Sequence, residues 1–253
     1  MGLVLIPGQE ATIKTSVIVP VWNRADLTMA WLNRHWSLYR GRPDVEVVIV
    51  NNGSTDTTPA ILVQWGKVYG DALQVVTHDE NRGFSAGNNA GAAVARGSVL
   101  VFTSNDVIVN GDYLGPVEQR LNGQDVLLGA QILTIDTGWN TFRGVEVETV
   151  AEGRDPKREP EPTVIPYLAG HLVAANRSTW DRIGGWDERY KPSDYEDIDL
   201  SYTAIRLGIP LVAIALPVKH LFGQSAGQLH GGREAITFQS RAKFMEKWGL
   251  SEP

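Results

Sequence analysis

Apolar residues in the first hundred positions fall into short, nearly unbroken runs separated by segments of helical spacing. The runs at 16–21, 45–50, 73–76 and 98–103 show little polar alternation. Runs of that length predict strands covered on both faces, as in a parallel sheet. Between them, residues 26–38 place Leu27, Ala30, Trp31 and Leu38 near helical spacing. Residues 54–56 offer helix N-caps ahead of Pro59, which suits a first helical turn. Residues 85–96 are rich in small side chains and predict a third helix. Alternation of this kind implies a parallel sheet with right-handed crossovers.

The second half is less regular. Residues 126–133, 172–175 and 211–216 predict strands, and 197–207 predicts a helix closed by Gly208. Residues 151–162 are charged and proline-rich and predict an exposed loop. Residues 233–248 predict a terminal helix. With no internal repeat and no clean linker, the expectation is one domain over 1–253. A nucleotide-binding half spans about 12–110 and an acceptor half about 111–253.

Composition narrows the classes. The chain has 253 residues, 43% hydrophobic and 21% charged, ordinary for a globular protein. Cysteine is absent, which excludes disulfides and thiolate metal sites and fits a reducing, cytoplasmic setting. No apolar stretch reaches the roughly 20 residues of a membrane-spanning helix. The first ten residues show no secretion pattern. Net charge is -6 without a basic tract, which lowers the expectation of a nucleic-acid partner. Eight tryptophans against six phenylalanines suit sugar stacking, although core packing accounts for most of them.

Candidate chemistry gathers after the predicted strands. Pro20-Val21-Trp22-Asn23-Arg24 follows the first, Asn51-Asn52-Gly53-Ser54-Thr55-Asp56 the second, Asn81-Arg82-Gly83-Phe84-Ser85-Ala86-Gly87-Asn88-Asn89 the third, and Ser104-Asn105-Asp106 the fourth. An open α/β sheet binds ligands beyond the carboxyl ends of its strands, so these segments share one edge. Asparagine both donates and accepts, which suits a base edge. Gly83 and Gly87 let backbone approach a diphosphate, and Asp106 can hold a hard divalent cation shared with it. Each segment alone also reads as a turn. Glu196-Asp197-Ile198-Asp199 forms a second acidic cluster at a predicted helix start, where the dipole favours anions. Capping is the plainer role for Asp199.

These stretches resemble the inverting nucleotide-sugar glycosyltransferases of family 2. The matching segments are 17–24, 48–56, 81–89, 104–107, Gly184-Gly185-Trp186-Asp187-Glu188 and Glu196-Asp197-Ile198-Asp199-Leu200, in family order. The resemblance implies an α/β fold of GT-A type: a Rossmann-like, mostly parallel sheet flanked by helices, with a smaller acceptor-side subregion. It implies a nucleoside-diphosphate sugar donor and Mn²⁺ or Mg²⁺. Pro20, Val21, Asn23 and Asn51 would line the base and ribose pocket, with Arg82, Gly83, Asn88 and Asn105 near the diphosphate. Asp106 would be the metal-binding carboxylate, joined by His220. The triplet Ser104-Asn105-Asp106 lacks the first carboxylate of the family's D-x-D pattern. Asn51 stands where an acid is usual, which widens the choice of base.

The same resemblance makes Asp197 the general base and lets Glu196 orient the acceptor. His171, Trp186 and Asp187 would face that acceptor, although a core position for His171 and a tight turn around a buried Trp186 indole fit those residues equally, and a segment with His230, Gly231 and Gly232 would cover the donor. The acceptor class stays open between a surface polysaccharide, a lipid-linked sugar, a protein and a modified nucleic-acid base. A nucleotidyltransferase making nucleotide sugars is one alternative, disfavoured because the first loop has no glycine to grip a triphosphate. A non-catalytic nucleotide-sugar-binding module is another, and it has no need of both acidic sites.

Overall fold

The computed structural model describes residues 12–131, 167–221 and 233–250. β1 (Thr15–Val21), α1 (Ala25–Tyr39), β2 (Val45–Asn52), α2 (Thr58–Tyr69), β3 (Leu73–His78), α3 (Phe84–Val94) and β4 (Val99–Thr103) alternate as the sequence predicts. Next come β5 (Val107–Val109), α4 (Leu114–Leu121) and β6 (Leu127–Gln131). The later part holds β7 (Leu172–Asn176), α5 (Arg177–Ile183), α6 (Glu196–Arg206), β8 (Leu211–Ala215), β9 (Val218–His220) and α7 (Arg233–Trp248). β5, β9, α4 and α5 are not among the expected elements: β5, β9 and α5 are too short to show a periodicity of their own, whereas α4 does carry Leu114, Val117 and Leu121 at helical spacing. The end of the strand expected at 126–133, the loop at 151–162 and the segment with His230, Gly231 and Gly232 lie outside the described residues.

Seven strands form one sheet in the order β3-β2-β1-β4-β7-β6-β8. β1 pairs parallel with β2 and β4, β2 with β3, and β6 with β8. β7 runs antiparallel to β4 and β6, so the sheet is mixed but mostly parallel. The chain steps outward from β1 to β3 and then returns to the other side of β1 as β4. That reversal opens a crevice beyond the carboxyl ends of β1 and β4. β5 and β9 form a separate ribbon in which Val107 faces His220.

Both faces of the central strands β1, β2 and β4 are buried, which is why they read as nearly continuous apolar runs, while edge strand β3 keeps Val75 and Thr77 exposed. Val17, Val19, Val47, Ile49 and Val101 point into one core, and Ile18, Val48, Leu100 and Phe102 into the other. α3 lies unusually close to β1. A Cβ at Gly87 would sit 2.9 Å from Pro20 Cβ, and one at Gly91 2.4 Å from Ile18 Cγ2. These two glycines, one helical turn apart, allow the approach.

At the amino edge of the sheet, fully buried Glu46 ties four segments together. It accepts from the Ser16 hydroxyl at 2.6 Å, the Arg96 amide at 2.6 Å, Arg96 Nε at 2.7 Å and Gln74 Nε2 at 2.8 Å. Burial alone would raise this carboxyl; those four donors hold it below its ordinary value. Among the described residues, no helix is long and apolar enough to cross a membrane.

Gly91→Ala tests the close approach. Alanine gains about 1 kcal/mol of helix propensity, whereas overpacking costs about 1–3 kcal/mol. A 2.4 Å contact belongs at the upper end of that range. The expected outcome is a net loss of about 2 kcal/mol in chemical denaturation; equal or greater stability would mean that α3 does not lie this close.

Candidate active site

The two acidic clusters are linked through intervening residues along the carboxyl edge of the sheet. β7 lies antiparallel on β4 with Thr103 opposite Leu172, so the residues before β7 stand beside the residues after β4. The His171 carbonyl accepts from the Thr103 hydroxyl at 2.9 Å and from the Ser104 amide at 3.4 Å. On the other side, the Gly170 amide donates to Asp197 Oδ2 at 3.0 Å. A Cβ on Gly170 would sit 3.3 Å from Asp197 Cβ, so α6 presses directly on this turn.

The β5–β9 ribbon brings in His220. Its Nε2 lies 3.4 Å from Asp106 Oδ1, and the Leu221 amide donates to the Asp106 carbonyl at 2.9 Å. The Ser104 hydroxyl also donates to Asp106 Oδ1. His220 stacks on His171, ring centroids 4.6 Å apart and nearly parallel. A continuous path of contacts therefore runs from Asp106 through His220, His171 and Gly170 to Asp197.

Electrostatics separates the two carboxyls. Burial would raise Asp106, but His220, Ser104 and the more distant His171 outweigh it and hold Asp106 below the ordinary carboxylate range. Burial pushes Asp197 up to about 6, with the charge of Asp194 adding to the rise and the amides of Gly170 and Ile198 opposing it. His171 is driven down to about 3 by burial, with His220 adding to the fall, so its ring is neutral near pH 7. Two carboxyls with opposite shifts suit two jobs: one permanently charged, one able to take a proton.

Asp106 and His220 could hold a divalent cation between them. One carboxylate oxygen and one imidazole nitrogen form a donor set that suits Mn²⁺ and accepts Mg²⁺. Among the described residues, no group of three or more acidic or histidine side chains is arranged as a complete cation site. A cation here would take its remaining ligands from elsewhere, as a diphosphate provides.

Backbone strain shapes the loop after β1. Asn23 and Arg24 both adopt the left-handed conformation, at φ 55° and 54°. Such pairs persist only where neighbours over-determine them. Here the Asn23 amide donates to the Ser54 hydroxyl at 2.8 Å, and Asn23 Oδ1 accepts from the Thr55 amide at 2.8 Å. Asn51 is buried, its Oδ1 accepting from the Ser54 amide at 3.1 Å. The loops after β1 and β2 are thereby fastened together.

Asn52, which its motif marks only as part of a turn, governs the third loop. Its Nδ2 donates to Asn81 Oδ1 and to the Gly83 carbonyl, both at 3.0 Å. That leaves Oδ1 facing the Arg82 amide at 3.0 Å and His78 Nδ1 at 2.9 Å. An oxygen acceptor requires the proton on His78 Nδ1. The Asn-Asn-Gly sequence signals a turn; that the second amide reaches four later residues has no local signature. This loop also touches the acidic segment, since the Phe84 amide donates to the Pro192 carbonyl at 3.0 Å.

Several expected contacts take other places. Val21 sits in the core, so only its backbone reaches the edge. Asn88 is fully buried and donates to the Phe84 carbonyl at 3.0 Å, inside the first turn of α3. Asn105 is buried and donates to Thr28 Oγ1 at 3.0 Å, tying the Asp106 turn to α1. Trp186, at 2% exposure, packs among Phe84, Phe102 and Trp180 and presents no face to a sugar. Asp187 binds Lys247 and Arg189. Glu196 is buried at the start of α6. Asp199 does not cap α6: its side chain meets Tyr190, Lys247 and Trp248. Pro20 is half-buried under Gly87, and Arg82 extends from the third loop into solvent.

Residues 16–182 match the sequence profile described as Glycosyl transferase family 2. A glycosyltransferase AglE of Haloferax volcanii is 32% identical over 118 residues, 46% of this chain and 38% of that protein. Bovine polypeptide N-acetylgalactosaminyltransferase 6 is 24% identical over 259 residues, 92% of this chain and 41% of that protein. The chain thus spans about two-fifths of the length of these curated relatives. Among solved structures, a Pyrobaculum calidifontis mannosyltransferase in complex with GDP-Man and Mn²⁺ superposes with a TM-score of 0.66 at 22% identity. It covers 92% of this chain and 64% of that one. GalNAc-T7 with UDP, GalNAc and Mn²⁺ superposes with a TM-score of 0.69 at 16% identity, covering 93% and 48%. At these identities the structural likeness speaks for the fold.

Asn52→Ala is expected to cost about 1–3 kcal/mol by leaving buried partners unpaired. It should also speed amide exchange at 81–83 while β1 and β4 keep their protection. Unchanged exchange would mean that the third loop is held by other contacts.

Proposed function

The chain belongs to glycosyl transferase family 2, and from that premise we propose that it moves a sugar from a nucleoside-diphosphate sugar to an acceptor hydroxyl with inversion. The observation that carries this reading is the contact path joining Asp106 to Asp197 through His220, His171 and Gly170. A depressed carboxyl and a raised one at one sheet edge fit a site that grips a leaving diphosphate and activates an alcohol. The donor lies in the crevice after β1 and β4, with Asn23 and Asn51 toward the base and Arg82 beside the diphosphate.

Asp106 and His220 would hold Mn²⁺ or Mg²⁺, which when bound neutralises charge on the departing diphosphate. Asp197 takes the proton of the acceptor hydroxyl as its oxygen forms the new bond to the anomeric carbon. The bond from that carbon to the diphosphate oxygen breaks, and its electron pair leaves with the nucleotide. Attack from the opposite face gives inversion. A carboxyl near 6 suits proton abstraction, because it is mostly ionised at pH 7 yet more basic than an ordinary aspartate.

The sign of the pH dependence follows. The base works ionised, so kcat/KM should fall as pH drops through about 6. Asp197→Asn should lose transfer by about 100-fold or more while still binding the donor. Wild-type turnover in that variant would remove Asp197 from the mechanism. The donor can be found by a thermal-shift screen of UDP-, GDP-, dTDP- and CDP-sugars with Mn²⁺.

Asp106→Ala should weaken Mn²⁺ binding in titration calorimetry at least about 10-fold, the order expected for losing a charged ligand. EDTA should abolish the donor-induced thermal shift of the wild type. Equal Mn²⁺ affinity in the two proteins would remove Asp106 from the cation site.

A further inference from the structure

α7 contributes none of the residues discussed for donor or cation, yet it is bonded repeatedly to the segment that carries Asp197. The Thr237 hydroxyl donates to Asp194 Oδ2 at 2.5 Å and the Ser240 hydroxyl to the Ser193 carbonyl at 3.0 Å. Lys243 Nζ donates to the Arg189 carbonyl at 2.7 Å. Lys247 Nζ reaches both Asp187 Oδ2 at 2.8 Å and Asp199 Oδ2 at 2.7 Å. Trp248 Nε1 donates to Asp199 Oδ1 at 2.8 Å. Thr237, Ser240, Lys243 and Lys247 recur every three or four residues, which puts them along one side of the helix. Phe244, fully buried on the same side, packs against Tyr195 and Tyr202.

These bonds bracket Asp197. Some fall before it, at 187–194, and two fall just after it, on Asp199. Asp194 and Tyr195, immediately ahead of α6, are both left-handed, at φ 70° and 71°. Such backbone holds only where its surroundings leave no alternative, and α7 supplies contacts to both residues. Asp197 and Asp199 lie two positions apart in the first turn of α6, about 200° around the helix. One carboxylate therefore turns to the Gly170 amide and the other to α7. The first turn of α6 is gripped from both sides, with Asp199 at 3% side-chain exposure as the buried half of the outer grip.

We propose that Lys247, with Trp248, is a positioning residue for the transfer reaction, fixing Asp199 and thereby the orientation of the Asp197 carboxylate. The proposal rests on Asp197 being the base. It goes beyond that reading by assigning a kinetic role to a helix remote from the nucleotide crevice.

The test uses the full chain and the variants Lys247→Met, Lys247→Arg, Trp248→Phe and Asp197→Asn. Hydrogen–deuterium exchange by mass spectrometry is the first readout. Lys247→Met should speed exchange at 194–200 at least tenfold with β1, β2 and β4 unchanged, and Lys247→Arg should restore protection. The second readout is turnover of the sugar nucleotide selected from the UDP-, GDP-, dTDP- and CDP-sugar panel, with Mn²⁺ and with water as acceptor. Lys247→Met should lower kcat at least tenfold with the donor KM within twofold, and Lys247→Arg should recover most of it. Trp248→Phe, which removes one hydrogen bond and keeps an aromatic ring, should lower kcat about threefold; it decides the matter if Lys247→Met does not fold.

Unchanged exchange at 194–200, or faster exchange with wild-type kcat, overturns the proposal. If Asp197→Asn is inactive while Lys247→Met and Trp248→Phe turn over normally, the base stands and the positioning role falls. If Asp197→Asn turns over normally, the base itself falls.

Discussion

The antiparallel register of β7 on β4 is the constraint from which the site follows. With Thr103 opposite Leu172, the turn that ends β4 and the turn that begins β7 must occupy the same place. Asp106 belongs to one and Gly170-His171 to the other. Had β7 run parallel, like its neighbours, its start would lie at the amino edge of the sheet, and Asp197 would have no amide to meet beside Asp106. A single reversed strand thus brings two clusters ninety-odd positions apart in the chain into one crevice. Its cost is small, because antiparallel pairing is no weaker per residue than parallel pairing.

Strain is distributed in a matching way. Asn23-Arg24 lies just before α1, and Asp194-Tyr195 just before α6. Each consecutive left-handed pair turns the chain sharply into a helix at the carboxyl edge. The first is locked by the loop after β2, the second by α7. Left-handed backbone costs such residues about 1–2 kcal/mol each, so these turns exist because surrounding contacts offset that cost. Both pairs border the crevice and neither lies at the amino edge.

The sequence made the central strands legible because burial on both faces leaves a plain mark: nearly unbroken apolar runs such as 45–50 and 98–103. Asp106 was legible for the same reason, as the first acid after such a run. Other features were not. β5 and β9 are three residues each and leave no pattern; the resemblance already joins His220 to Asp106, but the ribbon that seats the ring there is not visible in the sequence. Asn88 and Trp186 stand in motifs that suggest ligand contact, but a motif does not say which way a side chain points. Both point into the interior. Asp199 looks like a capping residue because it follows Glu196 and Asp197 at a helix start. Besides Tyr190, its partners Lys247 and Trp248 lie forty-eight and forty-nine positions downstream, beyond any local pattern. What sequence periodicity records is burial; what it omits is long-range pairing between polar groups.

Glu46 closes the opposite end of the sheet. Four donors from three segments converge on one buried carboxylate there, far along the strands from Asp106 and Asp197. Anchorage and reactivity are thus segregated at the two poles of the same strands. The turn at 40–44, which lies at the anchored pole, is for that reason the natural attachment point for a surface tether or a fused reporter: a load applied there bears on the stapled end and leaves the crevice open to solvent.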